Sequence, residues 1–123
     1  MKIRIKANSL RYRLTKTDVA KFSANGYLEE TIDFGPQVLT YAIQQNDLNN
    51  LSAIFENNKI TVFMPKAMVE QWQAGDKVGF DNCENGRHLL IEKDFKCLDN
   101  VAEDQSDNYP NPLTTEKAFL AKN

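Results

Sequence analysis

The feature that most constrains this chain is a near-repetition at a spacing of fifty residues. Shifted by 50, Asn8 falls on Asn58, Lys16 on Lys66, Val19 on Val69, Ala24 on Ala74 and Leu39 on Leu89. The identities are few, but the pattern around them recurs. Met1, Ile3 and Ile5 alternate with Lys2, Arg4 and Lys6, the period-two mark of a half-buried strand. A turn at Ala7-Asn8-Ser9 leads into Leu10, Tyr12 and Leu14, which alternate with Arg11 and Arg13. The second stretch offers Leu51, Ala53 and Phe55, a turn at Asn57-Asn58, then Ile60, Val62 and Met64.

Each stretch continues into a short helix. Thr15-Lys16-Thr17-Asp18 approximates a capping box, and Pro65 suits a first helical position, where a missing N–H costs nothing. Val19 with Phe22 and Val69 with Trp72 lie one turn apart, and Gly26 and Gly75 are predicted to end the two helices in the αL conformation. Strand pairs follow at 27–34 with 38–44 and at 77–81 with 87–93, turned by Gly35-Pro36 and Asn85-Gly86. The unit reads ββαβ(β), once over 1–48 and again over 51–98. The plain alternative is chance similarity within a short α+β protein.

A chain of 123 residues has the size of one domain, and half of it is too small to bury a core alone. The expected fold is therefore mainly β, α+β in class: two units interlocked over 1–98 in one small barrel, which also removes free strand edges. Residues 99–123 form an acidic tail carrying Asp99, Glu103, Asp104 and Asp107, with Asn108-Tyr109-Pro110-Asn111-Pro112 disfavouring regular structure. The tail either docks over the barrel or stays mobile for a basic partner, and 114–120 could form a short helix.

Two resemblances bear on this expectation. Lys59-Ile60-Thr61-Val62-Phe63-Met64-Pro65-Lys66, followed by Gly75-Asp76-Lys77-Val78 and the Asn85-Gly86 hairpin, resembles the swapped-hairpin units of the AbrB/MazE family of bacterial transcription regulators and antitoxins. That resemblance covers 59–94; the extra leading strand in each copy suggests instead the related double-psi barrel. Over 1–112 the chain also resembles a family of small uncharacterised bacterial proteins. The residues concerned are Met1-Lys2-Ile3-Arg4-Ile5-Lys6, Asn8-Ser9, Leu14-Thr15-Lys16, Glu92-Lys93-Asp94-Phe95-Lys96-Cys97-Leu98, and an acidic stretch closing on Tyr109-Pro110-Asn111-Pro112. It implies no activity.

The charge is unevenly spread. Residues 1–28 hold seven cations against Asp18 alone, a net +6, and the other 95 residues must sum to −8. If the apolar set of the first hairpin faces inward, Lys2, Arg4, Lys6, Arg11 and Arg13 share its outer face. Five like charges across two strands need a partner or ample solvent. A nucleic-acid backbone is one such partner; a solvated, aggregation-blocking face and the chain's own acidic tail are the others. An acidic chain overall argues against nucleic acid.

The second hairpin differs. The positions matching Arg4 and Arg13 are Ile54 and Phe63, which predicts an apolar contact surface: one for a protein partner or homodimer, joined by Tyr109 and the acidic tail, or one covered by the C-terminal segment with Phe119 and Leu120. A twist or bulge turning Ile54 and Phe63 inward is the alternative.

Signals for catalysis and cofactors are poor. Cys83, His88 and Cys97 match no zinc spacing, Cys97 keeps the phase of a core residue, and His88 falls on the surface phase. Neither a nucleophile elbow nor a glycine-rich phosphate loop is present. Some double-psi barrels cleave themselves at a Gly-Ser bond, and no Gly-Ser pair occurs here. No metal or cofactor is expected. The sequence reads as a binding module without catalysis, a nucleic-acid regulator first and a protein-interaction module second. An enzyme using Asp81, Glu84 or Asp94 in the barrel mouth is the third reading. With no apolar run of spanning length and only two cysteines, a cytoplasmic location is expected.

Overall fold

The structure is a computed structural model that describes residues 1–95 and 106–110. Ten elements follow one another: β1 (Lys2–Lys6), β2 (Ser9–Leu14), α1 (Lys16–Asn25), β3 (Tyr27–Asp33), β4 (Val38–Asn46), β5 (Ser52–Glu56), β6 (Lys59–Pro65), α2 (Lys66–Ala74), β7 (Gly79–Glu84) and β8 (Arg87–Lys93). The described residues are mainly β, with two helices and two four-stranded sheets. The expected roles of Cys97, Phe119 and Leu120, and the helix at 114–120, lie outside the described residues.

Neither sheet is made by one half of the chain. The first has the order β1-β2-β8-β7 and the second β3-β4-β6-β5. Each joins a hairpin from 1–48 to a hairpin from 51–98, through the parallel pairs β2 with β8 and β4 with β6. Two asparagines fifty residues apart make the same contact at these joins. The Asn8 carbonyl accepts the His88 N–H at 3.0 Å, and the Asn58 carbonyl accepts the Thr40 N–H at 3.0 Å.

Because β2 and β8 run parallel, as do β4 and β6, the hairpin turns at their starts gather at one end. Residues with positive φ make the turns: Asn57 and Asn58 together, Asn85 with Gly86, Ala7, and Gly35. Positive φ at both central residues of a two-residue loop matches the right-handed twist of the flanking strands. The helices close the opposite end. Val19, Phe22, Val69 and Trp72 are all buried in one cluster with Tyr12, Leu14, Ile43, Met64 and Ile91, and the Trp72 indole N–H donates to the Val78 carbonyl at 3.0 Å.

Among the described residues no strand pairing joins the two sheets. Side chains bridge both seams instead. Between β7 and β5, Asn82 Nδ2 donates to the Leu51 carbonyl at 2.8 Å and Glu84 accepts the Ala53 N–H at 3.2 Å. Between β1 and β3, the Met1 amino group pairs with Glu30, and also with Asp18 at 2.9 Å.

Three local expectations need correction. Gly26 ends α1 at φ 74, as expected, but Gly75 ends α2 in extended backbone at φ −124. Pro65 is the last residue of β6, opposite Asn46, and the residue before the helix rather than its first position. Lys77 and Val78 precede β7, which starts at Gly79 and runs on to Glu84. The Thr15–Asp18 capping box is present in both directions.

Candidate interaction surfaces

Strand parity puts all five predicted cations on the outer face of the first sheet. Lys2 lies opposite Arg13 and Arg4 opposite Arg11, so like charges face each other across the hairpin at two levels. The neighbouring strand supplies the relief. Glu92 of β8, opposite Arg13 in the parallel register, accepts from Arg11 and from Arg13, the latter at 3.1 Å. Lys2 Nζ lies 3.1 Å from the buried Asp94 carboxylate. Arg4 and Lys6 are exposed, and no ion pair involves either among the described residues. Beside them, Arg4, Lys6, Arg11, Ser9 and His88 line a shallow recess of about 260 Å³. The face is mixed, since His88 pairs at 3.2 Å with the exposed Asp81.

The predicted apolar pair also lies outward. Ile54 stands opposite Thr61 and Phe63 opposite Ser52, making them diagonal neighbours on the outer face of the second sheet. Ile54 is 42% exposed, whereas Phe63 is half-buried. Across β4, Lys59 lies over the Tyr27 ring, 4.7 Å from its centre, and 3.8 Å from Glu29.

A larger apolar surface occupies the turn end. The inward phase of β1 and β5 runs past the region that the helices fill, so Ile5 and Phe55 face the intersheet space where no described residue caps it: they are 61% and 66% exposed. The expectation that Ile5 and Phe55 are core residues therefore fails at the open end. With Leu10, Ile60 and Leu89 they line a recess of about 170 Å³, rimmed by Asn8, Ser9 and Arg87. The β3–β4 turn at the same end adds Ile32, Val38 and Phe34, the last 64% exposed. Six of the eight exposed large apolar side chains among the described residues therefore lie on β1, β5 and the β3–β4 hairpin. Sequence reasoning missed this surface. An aromatic residue immediately before the Gly35-Pro36 turn was the available signal.

The described part of the tail is docked at the helix end. The Asp107 carbonyl accepts the Lys16 N–H at 3.1 Å, and its carboxylate accepts from the Thr17 hydroxyl at 2.9 Å. Hydrogen bonds from Thr15 and Thr17, with the nearby Lys16 charge, hold that carboxyl below its ordinary value against some desolvation. Tyr109 pairs with Phe95 in a single parallel bridge, packs edge-on to its ring, and lies between the ammonium groups of Lys16 and Lys93. Lys93 is itself buried and donates to the Gly75 carbonyl at 3.0 Å; burial lowers its pKa. The predicted contact residue Tyr109 is thus engaged within its own chain.

The three candidate catalytic carboxylates do not converge. Asp81 is on the outer face of β7, Glu84 is bound into the β5–β7 seam, and Asp94 sits beyond β8, its N–H on the Leu14 carbonyl at the helix end. Among the described residues no group of three or more His, Cys, Asp or Glu side chains is placed to hold a metal ion, and no helix is long and apolar enough to cross a membrane. Cys83 is exposed and free.

Residues 1–113 match the model of a family described as Family of unknown function (DUF7009), and the chain belongs to that family. No curated protein and no solved structure matches the chain.

Proposed function

We propose that this member of a family of unknown function is a binding module without catalysis, and that the turn end is its protein-interaction surface. The observation that carries the reading is the clustering of Ile5, Ile32, Phe34, Val38, Ile54 and Phe55 at one end of the fold. Scattered exposed apolar residues are ordinary; exposed apolar residues gathered at one end beside a recess with a polar rim mark a contact site. Pockets at the mouths of β-structures are also common binding places. A photo-crosslinking residue placed at Ile54, and for comparison at Lys21 on α1, tests it in cells. The reading expects a protein adduct from Ile54 and none from Lys21; equal yields, or none, would remove it.

The fold itself supports a module of duplicated origin. The order ββαββ occurs twice, each sheet exchanges one hairpin between the halves, and side chains close both seams. We read this as an interlocked barrel of the swapped-hairpin or double-psi type, in keeping with the AbrB/MazE resemblance of 59–94, and as a cytoplasmic protein.

A second reading, nucleic-acid binding by Lys2, Arg4, Lys6, Arg11 and Arg13, is favoured by one observation. Arg4 and Lys6 border the recess on the outer face with no acid beside them among the described residues. Phosphate would supply that counter-charge.

A further inference from the structure

We infer that the partner at the turn end is a second copy of this chain, with Phe34 of each copy seated in the recess of the other; the inference rests on the turn end being the interaction surface. The recess walls are Ile5, Leu10, Phe55, Ile60 and Leu89, and its volume is about 170 Å³. An apolar cavity of roughly 150 Å³ admits a benzene ring, so this one matches a single phenyl group. Phe34 is the matching projection. It lies at the tip of the β3–β4 hairpin, where Val38 and Leu39 pair only with β3, because β6 joins β4 from Thr40 onward. Phe34 is 64% exposed, and nothing lies within 4 Å of a Cβ built on the adjacent Gly35.

Recess and projection lie at the same end, since the β3–β4 and β5–β6 turns meet through Thr40 and Asn58. A two-fold axis that brings two turn ends together therefore satisfies both contacts at once. Such an isologous interface closes at a dimer, whereas features at opposite ends would give an open fibre. Charge agrees with this pairing. Asp33 precedes Phe34 on the projection, and Arg87, which also meets Glu84 at 2.8 Å, stands on the rim of the recess. Docking one on the other brings opposite signs together, which favours encounter and register.

The test is the molar mass of the purified chain by light scattering, at concentrations up to about 1 mM so that weak association registers. The wild type is expected to be a dimer, and Phe34→Ser to weaken association about tenfold or more, as for a central aromatic anchor. Ile5→Glu should do the same from the recess side. An equimolar mixture of the two variants then regains association, because one Phe34 and one apolar recess remain; each variant alone has neither contact. Unchanged Trp72 emission and melting temperature would show that both variants are folded. A wild type that is monomeric throughout, a Phe34→Ser dimer as strong as the wild type, or a mixture that stays monomeric would each overturn the inference. An adduct from Ile54 to a different protein, with a monomeric pure chain, would overturn self-association and leave the turn-end reading standing. Loss of the adduct altogether would remove both.

Discussion

Glu84, on the free edge of one sheet, accepts the backbone N–H of Ala53, on the free edge of the other, across 3.2 Å. Ala53 is buried, so this N–H has little water to turn to, and an orphaned buried donor costs about 1–3 kcal/mol. Glu84→Ala should therefore lower stability by about that amount in urea denaturation. Glu84→Gln keeps an acceptor oxygen and should lose less than half as much. The same carboxylate also meets Arg87 at 2.8 Å, a partly exposed pair worth about 0–1 kcal/mol. Equal losses for Ala and Gln would mean that the charge, not the seam, is what Glu84 contributes.

Much of the element order was legible because it rests on local chemistry. The alternation of Ile3 and Ile5 with Lys2 and Arg4, the Thr15–Asp18 box and the Asn85-Gly86 turn each act within a few residues of themselves. What was not legible depends on distant partners. Pro65 stays in a strand because Asn46 lies opposite it. No local pattern announces that the second partner of β2, beyond β1, is β8 rather than another strand of its own half. The site suffered from the same limit. Ile5 and Phe55 have the phase of core residues, and their exposure follows from the helices filling only the other end.

Two small residues near the joins should respond in opposite ways. Ala7 holds φ 47 in the β1–β2 turn, a region that costs an L-residue roughly 1–2 kcal/mol. Ala7→Gly removes that strain but adds unfolded-state freedom worth roughly 0.5–1 kcal/mol, so a net gain of about 0.5 kcal/mol is expected. Gly79 has no room: a Cβ there would lie 2.2 Å from the Ile91 carbonyl oxygen and 2.8 Å from Glu92 Cα. Both are backbone atoms of the paired strand, so β7 must move. Gly79→Ala should cost at least the 1–3 kcal/mol typical of overpacking. A Gly79→Ala melting point within a degree of the wild type would show that β7 shifts freely.

The basic face yields a prediction with a salt signature. Anisotropy with mixed-sequence duplex DNA is expected to show binding at about 50 mM salt that falls steeply by about 200 mM, if phosphate is the partner. Arg4→Ser with Lys6→Ser should abolish it, since Arg11 and Arg13 already share Glu92. Glu92→Gln should do the reverse, strengthening binding and steepening the salt slope, while lowering stability by exposing the opposed cations to one another. A duplex that gives no signal at the lower salt leaves this face as a solvated one.

The tail contact has a pH direction that can be worked out. The Asp107 carboxyl is held below its ordinary value, first by the Thr15 hydrogen bond and then by Thr17 and the Lys16 charge. A carboxyl with a depressed folded pKa stabilises what it holds at pH above the unfolded value, and that contribution disappears as pH falls through the folded one. Docking of 106–110 should therefore be constant from neutral pH down to about 4 and loosen only below that. Amide exchange reads it directly, because the Lys16 N–H is bound by the Asp107 carbonyl and the Tyr109 N–H by the Asp94 carbonyl. Asp107→Ala should speed exchange at both amides severalfold at neutral pH and leave the Trp72 indole, bonded to Val78 in the core, unaffected. Protection at Tyr109 that survives this substitution would assign the docking to its ring, between Lys16, Lys93 and Phe95, rather than to the carboxylate.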